Sequence, residues 1–414
     1  MKMSDGPTTT KIKLPKNWVA ATVFALLAHC LMLAGAEAQG QAGAKDWPTA
    51  APKEFGMDPE KLAAFDADLA SGKYGLVDSI LILRCGTAVY DKSYKHDYGQ
   101  IYGERAKKEG PLNHDVQGPY NYFSTEYHPY YRSSDMHTMQ SVSKTITSVV
   151  IGIARTRDDF TAGLDTPILK FFDSRKVANM DDRKKHITIR DLLTMTAGFE
   201  WHEDLPYADP KNSADLMEAS RDWVQYVMDQ PMANEPGKIF EYNSGATELL
   251  AHIFKKVTGK NIDDYAAEHL FKPLGMHYYW KQSPTGLPDT EGGLYLSPHD
   301  LAKIGQLYLK GGMWNGKEIV SDRWIKESVS PHVNVPKSDW KYGYFWWLQS
   351  FGSAEEDIAW TARGFGGQQL LVVPAYDLVE VSTGWDILPS DEKRPHDWLA
   401  RTLDAANRFY GCTE

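Results

Sequence analysis

The sequence predicts an α+β fold: an antiparallel sheet formed by both ends of the chain with flanking helices, plus an inserted mainly helical region. Strand-like runs gather near the start, at 77–83 and 87–94, and near the end, at 344–348, 369–373 and 378–382. Between them, residues 140–290 repeat apolar side chains mainly at helical spacing. The chain after residue 38 shows no internal repeat and no low-complexity tract.

The first forty residues differ from the rest. Lys11, Lys13 and Lys16 precede an apolar stretch at 18–36, and Ala36-Glu37-Ala38 fits a small-x-small cleavage site. That order reads as a secretory signal over residues 1–38, which implies a periplasmic or secreted protein. An uncleaved anchor is the alternative reading, because the apolar run nears bilayer-spanning length. No later segment is apolar enough to cross a membrane. Residues 45–414 read as one domain: 45–95 and 290–414 give the sheet region and 133–289 the helical region. Cys85 and Cys412 remain after the signal. Exported proteins keep disulfides, so these are either a bond joining the chain's ends or two buried thiols, and spacing leaves both open.

Each element has a local cause. Asp58-Pro59-Glu60 opens a helix with Asp58 as cap and Pro59 in the first turn, and Leu62, Phe65 and Leu69 fall on one face. The runs at 77–83 and 87–94 flank Gly86 as a hairpin. Residues 96–135 form a polar loop rich in tyrosine, including Tyr120, Tyr122, Tyr127, Tyr130 and Tyr131. Its aromatics argue against disorder and serve either to fasten the loop or to line a pocket. Thr188 to Asp191 resembles a capping box before Leu192, Leu193 and Met195. The apolar positions Leu249, Leu250, Ile253, Phe254 and Val257 make a helix closed by Gly259. Ser297 caps another that stops at Gly311-Gly312, and a last helix covers about 396–409.

Composition and motif content speak against some functions. The formal net charge of −10 gives no sign of the basic face that nucleic-acid binders normally carry, so no nucleic-acid partner is expected. The 13 histidines contain no H-E-x-x-H pair, so neither a metal nor another cofactor is implied. No G-x-S-x-G elbow is present either.

Three segments carry candidate chemistry. Ser141 and Lys144 sit three apart at the head of an apolar helix, which places hydroxyl and amine on one face, one turn apart. The helix N-terminus favours an alkoxide there. S-x-x-K alone is a weak pattern, and Ser338-Asp339-Trp340-Lys341 repeats it in a polar loop. Tyr242, in a turn before the next helix, offers a phenol whose ionised form an adjacent ammonium would favour. Gly364-Phe365-Gly366-Gly367 leads into an apolar strand, and glycines there let a substrate approach the backbone. Taken singly, each has a bland reading: a helix cap, a core tyrosine, a turn.

Taken in order, the segments resemble the serine β-lactamase and penicillin-binding-protein superfamily of S-x-x-K enzymes, closest to its class C β-lactamase-like branch with carboxylesterases and 6-aminohexanoate-dimer hydrolases. The likeness runs through SVSKTITS at 141, ITIRDLLTMTAGFEW at 187, FEYNSG at 240, SPHDLAKIGQLYLKGG at 297, YGYFWW at 342 and GFGGQ at 364. It implies that Ser141 is the acylated nucleophile and Lys144 its activator. Tyr242 matches the tyrosine of a Y-x-N or Y-x-S element with Ser244 as third member. Gly364 matches the last glycine of the K-T-G-like element, which makes the N–H groups of Ser141 and Phe365 the oxyanion donors. Two departures stand out: Ser244 replaces the asparagine of β-lactamases, and Ala362-Arg363 replace the Lys-Thr that holds a β-lactam carboxylate. The resemblance therefore implies a serine hydrolase acting on a small-molecule ester, amide or peptide-like substrate. A D-amino-acid peptidase, transpeptidase or β-lactamase is the nearest rival, and a non-catalytic binding protein on the same fold is a further one.

Overall fold

Both ends of the chain meet in one eight-stranded antiparallel sheet. The computed structural model describes residues 47–207, 209–354, 356–388, 397–408 and 410–412. The signal expected at 1–38 lies outside the described residues. The strands are β1 Val77–Arg84, β2 Thr87–Ser93, β3 His137–Thr138, β4 Tyr278–Trp280, β5 Leu294–Leu296, β6 Met313–Trp314, β7 Lys317–Glu318, β8 Val333–Asn334, β9 Lys341–Tyr342, β10 Trp347–Ser350, β11 Ile358–Gly364, β12 Gln368–Val373 and β13 Leu378–Gly384. The large sheet runs β2-β1-β13-β12-β11-β10-β9-β8, a three-stranded sheet runs β3-β5-β4, and β6 pairs with β7.

Every residue of β1 is buried, because both faces are covered. Successive side chains point to opposite faces. Ile80 and Ile82 join Leu62, Phe65 and Leu69 of the Pro59–Ala70 helix and Leu399 of the Trp398–Ala405 helix. Leu81 and Leu83 join the larger core shared with Leu301 and Ile304 of the Pro298–Leu309 helix. The β1–β2 turn takes Cys85 at φ 50° and Gly86 at φ 70°, two left-handed residues that match the twist of a tight hairpin. Cys85 is bonded to Cys412, which settles the alternative left open by spacing and ties the hairpin to the chain's end.

The expected caps form. Asp58 accepts from the N–H groups of Glu60 and Lys61, Thr188 and Asp191 complete a reciprocal box, and Ser297 accepts from Asp300 N–H. Gly259 ends the Gly245–Thr258 helix at φ 77°. One strand starts later than its sequence suggests. Residues 344–346 are not strand, since Phe345 sits at φ 63°. Its carbonyl accepts from Thr145 Oγ1 at 2.6 Å and its N–H donates to Leu193 O at 3.2 Å, so the helical region captures this segment. In the tyrosine-rich loop most rings act as fasteners: Tyr131 stacks on Tyr279 at 3.8 Å and Tyr130 meets His137 edge-on at 4.9 Å. Among the described residues no helix is long and apolar enough to cross a membrane.

One buried acid makes stability depend on pH. Glu380 of β13 is fully buried and accepts from the Trp398 indole and the Thr402 hydroxyl. Burial pushes its carboxyl up to about 7. Because the folded value lies above the unfolded one, the folded state binds the extra proton, and this stability is present below about 4.5 and lost as pH rises through 7. Glu380→Gln is expected to flatten that slope, worth on the order of 3 kcal/mol between the two limits. Urea melts of both proteins at several pH values would check it. Parallel slopes would refute the assignment.

Candidate active site

Ser141 takes the N-cap position of the Val142–Thr156 helix, at φ −62° and ψ −6°. The residue before it, Gln140, is left-handed at φ 47°, a conformation uncommon for non-glycine residues. The Gln140 amide donates to Thr138 Oγ1 at 2.9 Å, which helps hold the turn. One helical turn on, the ammonium of Lys144, only 1% exposed, donates to Ser141 Oγ at 2.8 Å and to the Glu291 carbonyl at 2.8 Å. The rest of the helix anchors these two groups: Val142 to Ala154 are all buried, with Ile146, Val149, Val150 and Ile153 in the main core.

Tyr242 comes from a turn pinned on both sides. Glu241 N–H donates to Met195 O at 2.8 Å, and Asn243 Oδ1 accepts from Ala246 N–H at 3.1 Å. The Tyr242 ring stacks on Trp347 at 5.7 Å, and Lys144 Nζ lies 5.3 Å from its centroid. The Lys144 ammonium and the Ser141 hydroxyl both favour the ionised form of its phenol. Hydroxyl, amine and phenol from two distant stretches are therefore brought together.

The third stretch arrives through Gly364, the last residue of β11. A Cβ there would lie 2.4 Å from Met139 O and 3.1 Å from Gln140 Cβ. Only a residue without a side chain lets the strand end press against the turn that holds Ser141. Phe365 follows, and Phe365 and Ser141 line the same cavity. Ser244 is placed differently from these residues. It is fully buried, and its hydroxyl and N–H both donate to the Glu203 carboxylate, at 2.5 and 2.7 Å. Trp201 Nε1 and the Tyr207 hydroxyl also donate to Glu203, at 2.8 and 2.9 Å. Arg363 is exposed beside Trp340, 5.3 Å from its ring.

Several cavity residues have no motif to announce them. Tyr122, Tyr207, Asp215, Glu218 and Glu291 all face the space beside Ser141. The Tyr122 hydroxyl donates to Glu218 at 2.5 Å, and Asp215 accepts from His114 Nε2 at 2.8 Å. Lys281, fully buried, lies between the rings of Tyr120 and Tyr122 at 4.4 and 4.9 Å and 3.6 Å from Asp289.

Burial and charge tune these groups together. Burial pushes the Tyr242 phenol above its ordinary value, while the Lys144 ammonium pulls it back. Burial pulls Lys144 down, but Tyr242, Glu291 and Glu203 around it outweigh that and hold its ammonium above the usual range. Burial also pushes Glu218 up to about 7 and Glu291 well above the carboxylate range, each facing the other. Desolvation disfavours every charged form here, and neighbours of opposite sign and hydrogen bonds offset it. Among the described residues, Cys85, Asp377 and Cys412 form the metal-ligand-type cluster, but its two sulfurs are bonded to each other and provide no thiolates.

A family model described as Beta-lactamase matches residues 76–383. The 6-aminohexanoate-dimer hydrolase of Paenarthrobacter ureafaciens is 24% identical over 277 residues, 61% of this chain and 68% of the relative. Among solved structures, a D-stereospecific amidohydrolase from Streptomyces sp. superposes with a TM-score of 0.58 at 14% identity, covering 83% of this chain and 98% of the other. A family VIII carboxylesterase gives 0.56 at 16% identity, covering 84% and 96%. At those identities the structural likeness is one of fold.

Proposed function

The chain belongs to the beta-lactamase family and is related to 6-aminohexanoate-dimer hydrolase, and from that premise we propose that it is a serine hydrolase that cleaves esters or amides through an acyl-enzyme on Ser141. The observation that carries this reading is the hydrogen bond of 2.8 Å from the buried Lys144 ammonium to Ser141 Oγ, with the Tyr242 ring 5.3 Å from the same Nζ. In the cycle, Ser141 passes its proton to the Lys144/Tyr242 pair as Oγ attacks the carbonyl. The N–H groups of Ser141 and Phe365 receive the developing oxyanion. Tyr242 returns a proton to the leaving group, and water then releases the acid. Ser244 acts at one remove, by holding Glu203 beside Tyr242. The exposed Arg363, where the resemblance leads one to expect a lysine and threonine, favours linear esters and amides over β-lactams.

Incubation with a fluorophosphonate followed by peptide mapping tests the reading. The adduct is expected on Ser141, together with turnover of short p-nitrophenyl esters. Folded protein carrying no adduct there would favour a non-catalytic binder. Acyl transfer to D-alanyl peptides exceeding ester hydrolysis would move the assignment to a peptidase or transpeptidase.

The electrostatics add a pH expectation. Lys144 and Tyr242 both hold their protons more firmly than usual, so the pair must lose one before it accepts another from Ser141. The groups facing it are Glu203, Glu291 and, through Tyr242, Arg363. Hence kcat/KM for an uncharged ester should rise with pH and level off only on the alkaline side. An optimum below about pH 6 would contradict this proton inventory.

A further inference from the structure

We propose that Lys281 and Asp289 form a covalent modification site, in which a self-generated amide joins Lys281 Nζ to Asp289 Cγ. The inference concerns the folded chain itself and goes beyond the hydrolase reading.

The two residues stand across the open end of a short turn. Asp289 N–H donates to Lys281 O at 2.9 Å, and Gln282 pairs with Pro288 inside it. Both side chains are fully buried, with Nζ 3.6 Å from Asp289 Oδ2, too far for a hydrogen bond. Among the described residues Nζ donates no hydrogen bond, and the rings of Tyr120 and Tyr122 flank it at 4.4 and 4.9 Å. The facing carboxyl is held in place. Gly292 N–H donates to Oδ1 at 2.9 Å and the Tyr120 hydroxyl to Oδ2 at 3.4 Å. A Cβ on Gly293 would lie 2.7 Å from Asp289 Cγ, so only glycine fits there.

An ion pair is a costly state for these groups. Two charges taken out of water are repaid only where hydrogen bonds also satisfy them, and an ammonium brings three donors. An amide removes both charges and leaves one N–H. Reactants held in contact also behave as if present at about 10⁵–10⁸ M. A third acid adjoins them: Glu248 is fully buried, its Oε1 accepts at 2.8 Å from the N–H of Thr290, the residue after Asp289, and its Oε2 has no partner among the described residues. Burial, with Asp289 and Glu291 nearby, pushes the Glu248 carboxyl well above the usual range, so it holds a proton. In the reaction the ammonium passes a proton to the Asp289 carboxylate, the freed amine attacks Cγ, and the C–OH bond breaks. Two Nζ protons and one carboxylate oxygen leave as water, the second proton relayed by Glu248, and no oxidant or co-reactant is consumed. The bond would lock the segment leading to Glu291, whose carbonyl accepts from Lys144 at 2.8 Å.

Mass spectrometry of the purified protein, denatured and reduced, tests this. The mass is expected one water below that of its sequence. Trypsin should release a single peptide covering 261–303 that lacks the same water, because it does not cut after an acylated lysine or before Pro273. Lys281→Arg keeps the charge but cannot condense, and should restore the full mass. Glu248→Gln should slow appearance of the shortened mass, and an unchanged rate would remove Glu248 from the reaction. Folded wild-type protein of full mass that is cut after Lys281, both fresh and after long incubation, would leave a buried ion pair only and overturn the proposal. A water loss that persists in Lys281→Arg would overturn it as well. None of these results bears on Ser141, so the hydrolase reading stands or falls separately.

Discussion

Ser141→Ala is expected to lower kcat/KM for a p-nitrophenyl ester by on the order of 10³–10⁶-fold, with little change in melting temperature. The fold should tolerate it, because the Ser141 side chain makes no capping hydrogen bond to the Val142–Thr156 helix. Lys144→Met should cost a similar factor, since without the amine the hydroxyl loses its partner at 2.8 Å. The double variant should be no slower than either single one, because groups that act as one unit are not additive. Stopped-flow acylation and steady-state turnover would measure this. Activity of Ser141→Ala within tenfold of the wild type, with thermal unfolding unchanged, would remove Ser141 from the mechanism.

Gly364→Ala should reduce turnover by about 10²–10³-fold, the loss associated with a misplaced oxyanion donor. The added methyl would stand 2.4 Å from a backbone carbonyl, Met139 O, in the turn that carries Ser141. A backbone atom cannot swing aside as a side-chain tip can, so either the strand end or the nucleophile turn must move. Overpacking of this kind typically costs about 1–3 kcal/mol of stability, and the effect should appear in kcat more than in KM. Gly163→Ala is the control, since a Cβ there has only Thr166 Oγ1 in range, at 3.6 Å. Equal activity of the two variants would mean that the close approach of β11 has no part in catalysis.

Much of the fold was legible locally. Caps at Asp58, Thr188 and Ser297 and the stop at Gly259 depend on neighbours within a few positions, so short windows of sequence contain their cause. Two failures share one physical reason. Residues 344–346 look like strand, yet contacts from Thr145 and Leu193 bend Phe345 out of it. No strand is expected before the glycine-rich turn, yet pairing with β10 and β12 on both sides makes Ile358–Gly364 a strand. Long-range partners decided both, and no local pattern encodes them.

The candidate site divides the same way. Ser141 and Lys144 could be found because three residues along a helix set their geometry, and Tyr242 and Gly364 because each lies in a distinctive short segment. Glu203, Glu218 and Glu291 could not. In sequence they are acids like any surface acid; what distinguishes them is burial beside Ser141 and Lys144, with four donors for Glu203 and a side-chain hydrogen bond shared by Glu218 and Glu291.

By itself, then, the sequence determined the α+β class, the caps, the order of the three reactive segments and the departures at Ser244 and Arg363, because these depend on spacing and residue type alone. The tertiary structure decided that Cys85 bonds Cys412, that Ser244 is spent on Glu203, and that an acidic, aromatic-walled cavity adjoins the nucleophile. Burial, electrostatic field and hydrogen-bond satisfaction are properties of what surrounds a group, and the chain acquires those surroundings only when segments far apart in sequence pack together.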